Sequence, residues 1–347
     1  MEFNFEDVKN KIIAERAVHG KQVSEATLTV YLNNISAMSK MMNQGEAVGG
    51  FDWLEDTDKF INMLTQSKPN YVTRKNYLNA ILSYIIAYNE DGSLKSILEK
   101  IEKQRDIYSK QYDEMNASGK WSQNQEKNML SRDEFNTVLT QIGTEIKQKN
   151  LKKTLTANAN EKALLQAYLL LNIHKTLPIR NELGNCLVMG KREFNKVLAT
   201  TRQENNYLII EKSKQTFYFN DYKTKKIYEE RVIPVPNHLK KTIRFYLRFF
   251  PGDKYLICKF NGEPAGTNNV TQILTKQFKK RIGKSVSTTL LRKLYLSEKY
   301  SSIKSEQLAD SHIMGHSVAT ASHIYTKVNP AEAKEAQDSE QVSESQV

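Results

Sequence analysis

Three short runs of strand character lie close together in this chain, Tyr207 to Glu211, Thr216 to Tyr222 and Arg231 to Val235, and helical periodicity flanks them. So little strand makes one small sheet that helices must cover, which restricts this part of the chain to an α+β layout. The second and third runs flank a polar turn, Lys223-Thr-Lys-Lys226, as a hairpin would. The expected sheet is therefore antiparallel, with Lys223 ending its second strand. Pro234 and Pro236 have no N–H for the ladder, so the third run belongs at an edge.

The N-terminal part is helical. Ser24-Glu-Ala-Thr27 starts one helix, with Leu28, Tyr31, Leu32 and Ile35 at helical spacing. Phe51 to Leu64 predicts a second helix, Val72 to Tyr88 a third with a broad apolar face, and Ile97 to Tyr112 a fourth. Arg74 and Lys75 fall in the first turn of the third, where the helix dipole disfavours cations unless a phosphate is near; a solvated charge pair also explains them. Asn116-Ala-Ser-Gly-Lys120 has linker composition. Ser131-Arg-Asp-Glu134 then starts another helix, with helices expected at 132–149, 160–173 and again from about residue 237.

Charge bears on the partner. The formal net charge is +12, which favours a polyanion, nucleic acid before an anionic membrane surface. Residues 330–347 hold four Glu and one Asp against one Lys, so the tail is acidic. The most apolar run, Leu164 to Ile173, is interrupted by Gln166, Tyr168 and Asn172, and no membrane span is expected. Cys186 and Cys258 suffice for neither a disulfide framework nor an ordinary zinc site. Met1-Glu-Phe-Asn-Phe-Glu6 has no signal-peptide pattern, so an intracellular setting is expected.

Near the end, His316 and Tyr325 stand nine residues apart. On one unbroken helix, nine steps of about 100° would put them on opposite faces. A turn at Gly315 and a new helix capped by Ser317 let both serve one site. Other candidates for an anion site precede them: Arg180 and Glu182 in Thr176-Leu-Pro-Ile-Arg-Asn-Glu-Leu183, Lys223 in Tyr222-Lys-Thr224, and Arg292 in Thr288-Thr-Leu-Leu-Arg-Lys-Leu-Tyr295.

In order, Ile179-Arg-Asn-Glu-Leu183, Tyr222-Lys-Thr224 with Arg231-Val-Ile-Pro-Val235, Leu291-Arg-Lys-Leu-Tyr295, and Met314-Gly-His-Ser317 with Thr320 and Tyr325 resemble the tyrosine recombinase, or phage-type integrase, family. With Glu126-Lys-Asn128, the wording is most similar to integrases of eukaryotic DNA viruses and mobile elements. The resemblance implies a helical core-binding domain at 1–115, a linker at 116–130, an α+β catalytic domain at 131–328 and an acidic tail at 329–347. It implies Tyr325 as nucleophile, Arg180 and Arg292 as phosphate clamp, Lys223 as general acid with Lys225 as fallback, and His316 as a phosphate or proton partner. Glu182 supports, and Lys293, like Arg74 and Lys75, becomes a DNA contact. Thr289 occupies a position where many members have His, and a hydroxyl donates a hydrogen bond without shuttling protons near neutral pH. The implied partner is double-stranded DNA held by a homotetramer on paired sites, with no metal, no ATP and no other cofactor. The implied setting is a virus or mobile element acting wherever its target DNA lies. A cleavage-deficient DNA-binding relative, a type IB topoisomerase and a hairpin telomere resolvase are the alternatives.

Overall fold

The computed structural model describes residues 3–118 and 121–315. The chain divides into two compact units, Met1–Trp121 and Ser122–Val347.

In the first unit, α1 (Phe5–Val18), α2 (Glu25–Met42), α3 (Asp52–Glu55), α4 (Thr57–Ser67), α5 (Tyr71–Tyr88) and α6 (Lys95–Ala117) share one core. Ser24 caps α2 as its sequence implies, accepting from the Thr27 amide. Helix α5 lies at the centre, packed by α1, α2 and α6. Leu78, Ala80, Ile81, Leu82, Tyr84, Ile85 and Ala87 are all buried, so this helix is covered on more than one face. Each large apolar side chain removed from water in this way contributes roughly 1.5–3 kcal/mol.

The second unit opens with α7 (Gln123–Lys127) and α8 (Arg132–Gln148), both begun by capping boxes, at Ser122/Gln125 and Ser131/Glu134. Helix α9 (Ala159–Thr176) is its axis, with Leu164, Leu165, Ala167, Leu169, Leu170, Leu171 and Ile173 buried. A 3-10 turn (Asn181–Asn185) leads into β1 (Cys186–Gly190). Then come α10 (Lys191–Lys196), α11 (Ala199–Gln203), β2 (Asn206–Ile210), β3 (Gln215–Phe219), α12 (Lys225–Tyr228) and β4 (Arg231–Pro234). Helices α13 (Asn237–Leu247), α14 (Gly266–Ile282) and α15 (Thr288–Ile313) complete the described part.

The sheet runs in the order β1-β2-β3-β4. Strand β1 pairs with β2 in parallel, Cys186 opposite Asn206, whereas β2–β3 and β3–β4 are antiparallel. The sheet is thus mixed, not antiparallel as expected. A parallel neighbour needs a crossover, which the short helices α10 and α11 provide. Pro234 does lie on the edge strand, opposite Thr216. The β3–β4 connection is longer than a hairpin turn, because β3 stops at Phe219 and α12 intervenes. Lys223 therefore lies in the loop beyond β3, not at its end.

Candidate anion site

Helix α9 stops at Leu177, and Pro178 forbids its continuation by removing an amide donor. Ile179 is buried, and Arg180 follows in extended conformation at the head of the 3-10 turn, half-buried. Within that turn Glu182, Leu183 and Gly184 are buried. Gly184 explains why the turn sits where it does. A Cβ there would lie 2.3 Å from the Gly266 carbonyl oxygen, so the turn presses backbone to backbone on the start of α14. Asn181 adds a hydrogen bond from its Nδ2 to Thr271 Oγ1 at 2.9 Å.

Arg292 projects from the second turn of α15, whose start is capped by the Ser287 hydroxyl. Burial lowers its pKa; the positive charges of Arg180 and Arg231 act in the same direction, and the Glu182 carboxylate acts against them. Arg231 opens β4, with Nη2 3.6 Å from Glu182 Oε1. Arg292 and Arg231 therefore share the field of one buried carboxylate, and Arg180 is close enough to Arg292 to act on it. Like charges this close are mutually unfavourable in a half-buried setting, and an oxyanion relieves them. Planar, permanently charged forks suit a phosphate in particular.

His174, in the last turn of α9, is buried, with Nδ1 2.8 Å from the Leu170 carbonyl. Burial pushes its pKa down against the raising effect of backbone partners at Leu170 and Ile179, and Arg292 adds to the lowering. The imidazole is therefore neutral at neutral pH, with Nδ1–H donating to Leu170.

The other sequence candidates are dispersed in role. Thr289 is exposed one turn before Arg292, on the same side of α15. Lys293 is not a loose cation, since its Nζ donates to Gln125 Oε1 at 2.7 Å. Lys223 is exposed, and Lys225 donates to the Gln203 carbonyl. In the first unit, Arg74 directs Nε to the Lys68 carbonyl at 2.6 Å and Nη2 to the Thr65 and Pro69 carbonyls, both at 3.1 Å. It thus answers the carbonyl end of α4, which offsets the dipole cost of a cation at the start of α5. Lys75 lies over the Tyr112 ring at 4.2 Å. Gly315 adopts φ +68° just past the end of α15. His316, Thr320 and Tyr325 lie outside the described residues.

Arg231 is the member that sequence reading left out of the site. Its advance signal was its place at the head of Arg231-Val-Ile-Pro-Val235, a run that carries the resemblance but to which no site role was attached.

No family model matches the chain, and no curated protein matches it. Among solved structures, a crystal structure of XerA recombinase is similar at 15% identity, covering 97% of this chain and 99% of that one, with a TM-score of 0.32. A likeness at that score carries no argument about what this chain does. No helix among the described residues is long and apolar enough to cross a membrane.

Proposed function

We propose that this chain is a site-specific DNA recombinase or integrase of the tyrosine recombinase type. The observation that carries the reading is that Arg180, picked out by motif order, heads the 3-10 turn bearing buried Glu182, on which Arg231 is paired at 3.6 Å, while Arg292, also picked out by motif order, lies within the influence of all three charges. Charge of this kind suits a phosphodiester whose phosphorus gains negative charge as a fifth oxygen arrives. In the proposed reaction the Tyr325 oxygen forms a bond to phosphorus and its proton passes to His316 or water. The bond from phosphorus to the 5′-oxygen breaks, and Lys223 supplies the proton that turns the leaving oxygen into a hydroxyl. The 3′-phosphotyrosyl link keeps the ester bond energy, so a second 5′-hydroxyl reverses the step without ATP. Residues 1–115 serve as core-binding domain, residues 131–328 as catalytic domain, and four copies assemble on two duplex sites.

The test is covalent trapping. A random-sequence pool of duplexes, nicked so that the short 5′-hydroxyl strand diffuses away after cleavage, is incubated with the protein and resolved under denaturing conditions. The expected result is a protein–DNA adduct that maps to Tyr325 by mass spectrometry and is abolished by Tyr325→Phe. Duplex retention with no adduct at any sequence would instead identify a cleavage-deficient binding protein, in keeping with Thr289. Relaxation of supercoiled plasmid regardless of sequence would identify a topoisomerase, and hairpin-ended products a telomere resolvase.

A further inference from the structure

Arg231 belongs to the cluster, and its contacts also tie it to the loop that carries Lys223. Its guanidinium lies against aromatic rings: Cζ is 4.0 Å from the Tyr222 centroid and 5.3 Å from that of Phe219. Its ion-pair contact is with buried Glu182. Nε and Nη2, the two atoms of one fork edge, are buried without a hydrogen-bond partner, as is Glu182 Oε2. Charge and stacking therefore hold the group where it is.

Tyr222 immediately precedes Lys223, and its loop is tied at several points. Asn206 Oδ1 accepts from the backbone amides of Asn220 and Asp221, both at 2.9 Å, and its Nδ2 donates to the Asp221 carbonyl at 2.7 Å. Asn220 donates to Glu230 Oε2 at 2.9 Å, and the Tyr222 hydroxyl to the Glu229 carbonyl. These ties fix the loop to the sheet. The ring contact from Tyr222 to Arg231 and the ion pair from Arg231 to Glu182 link the loop to the 3-10 turn that bears Arg180.

We infer that Arg231 is a positioning residue: anchored on Glu182 and lying against Tyr222, it holds the Lys223 loop in register with the arginine pair. The inference rests on the recombinase reading for Lys223's role as proton donor, but the mechanical tie can be read separately. Losing Arg231 then weakens proton delivery to the leaving oxygen more than it weakens the grip on phosphate.

A sulfur substitution tests this. The duplex recovered by trapping is remade with sulfur in place of the bridging 5′-oxygen. When the Tyr325 oxygen bonds to phosphorus, the phosphorus–sulfur bond breaks and the electron pair leaves on sulfur as a thiolate. A thiol ionises near about pH 8.5, far below an alcohol, so no proton donor is required. On the oxygen substrate, Arg231→Met should slow adduct formation at least about tenfold, a fraction of what a full general acid supplies. On sulfur that deficit should shrink to near wild-type rate, as for Lys223→Ala, while Arg292→Ala stays slow on both. Arg231→Lys should fall between, since it keeps the charge on Glu182 and loses the flat stacking surface. Equal slowing of Arg231→Met on both substrates would overturn the inference and make Arg231 a phosphate contact or a fold residue.

A second measurement does not depend on cleavage of DNA. Digestion with a lysine-specific protease should cut after Lys223, Lys225 or Lys226 about fivefold faster in Arg231→Met, with sites elsewhere unchanged, because only the loop has been released. Unchanged loop cutting would overturn the tie even if no duplex is ever trapped. A wild-type protein that forms no adduct while showing the loop effect would sink the recombinase reading and leave the tie standing.

Discussion

At the scale of single residues, His174 shows how the arginine cluster reaches into the core. Its ring is buried against the Leu170 carbonyl, and protonation would add a further cation near Arg292. The folded-state pKa lies below the ordinary 6.5, so at mildly acidic pH the unfolded chain binds a proton that the folded chain refuses. His174 therefore contributes stability in full above about pH 6.5, and that contribution falls as pH drops toward the folded-state pKa. Urea midpoints at pH 7.5 and 5.5 should show wild type losing more stability than His174→Gln, which has no proton to gain. Equal losses would remove His174 as the source. Arg180, Glu182 and Arg292 were legible in the sequence because each sits in a short contiguous motif. Arg231 heads such a run too, but its part in the cluster was not legible, since it depends on β4 lying beside β3 and on a ring two residues past an unforeseen loop start. Arg74 was legible as an oddity of charge placement, but the carbonyl end of α4 that answers it becomes visible only once α4 and α5 are packed.

At the scale of elements, the helices were the most readable part, because caps and apolar spacing act locally. Ser24, Ser131 and the α5 run each correspond to a helix. Strand β1 escaped because Cys186-Leu-Val-Met-Gly190 has no alternation and its partner β2 is parallel, reached only through α10 and α11. The 3-10 turn was equally hidden: what fixes it is a backbone contact with α14, far away in sequence. That contact makes Gly184 a sensitive point. Gly184→Ala puts a methyl group against the Gly266 carbonyl and Val270, neither of which is a flexible chain end able to move aside cheaply. The expected cost is about 1–3 kcal/mol of stability, measured by urea denaturation. Because Arg180 and Glu182 ride on the same turn, adduct formation should fall well beyond the loss of folded protein. A variant of wild-type stability and activity would show that the turn and α14 have room between them.

At the scale of the whole molecule, the two units differ in charge. Residues 1–121 hold 15 Lys and Arg against 17 Asp and Glu, whereas residues 122–347 hold 36 against 22. The basic excess thus belongs entirely to the part containing the arginine cluster, even after the acidic tail is counted. If that part binds duplex DNA as proposed, binding is driven by release of counterions from phosphates, and its strength must fall with salt in proportion to the phosphates neutralised. With Tyr325→Phe used to block cleavage, the logarithm of the association constant should fall linearly with the logarithm of salt concentration. For six to ten contacts this amounts to about 10³–10⁵ in affinity between 50 and 200 mM. Lys226, exposed in α12 just past Lys223, is expected to be one such contact, so Lys226→Gln should lower the slope by about one and weaken binding to all sequences alike. Lys9 serves as the contrast: it lies in the acidic unit and is already paired with Glu25 at 2.9 Å, so Lys9→Gln should leave the slope unchanged. A shallow slope for the parent protein, or a larger loss from Lys9 than from Lys226, would detach the arginine cluster from DNA.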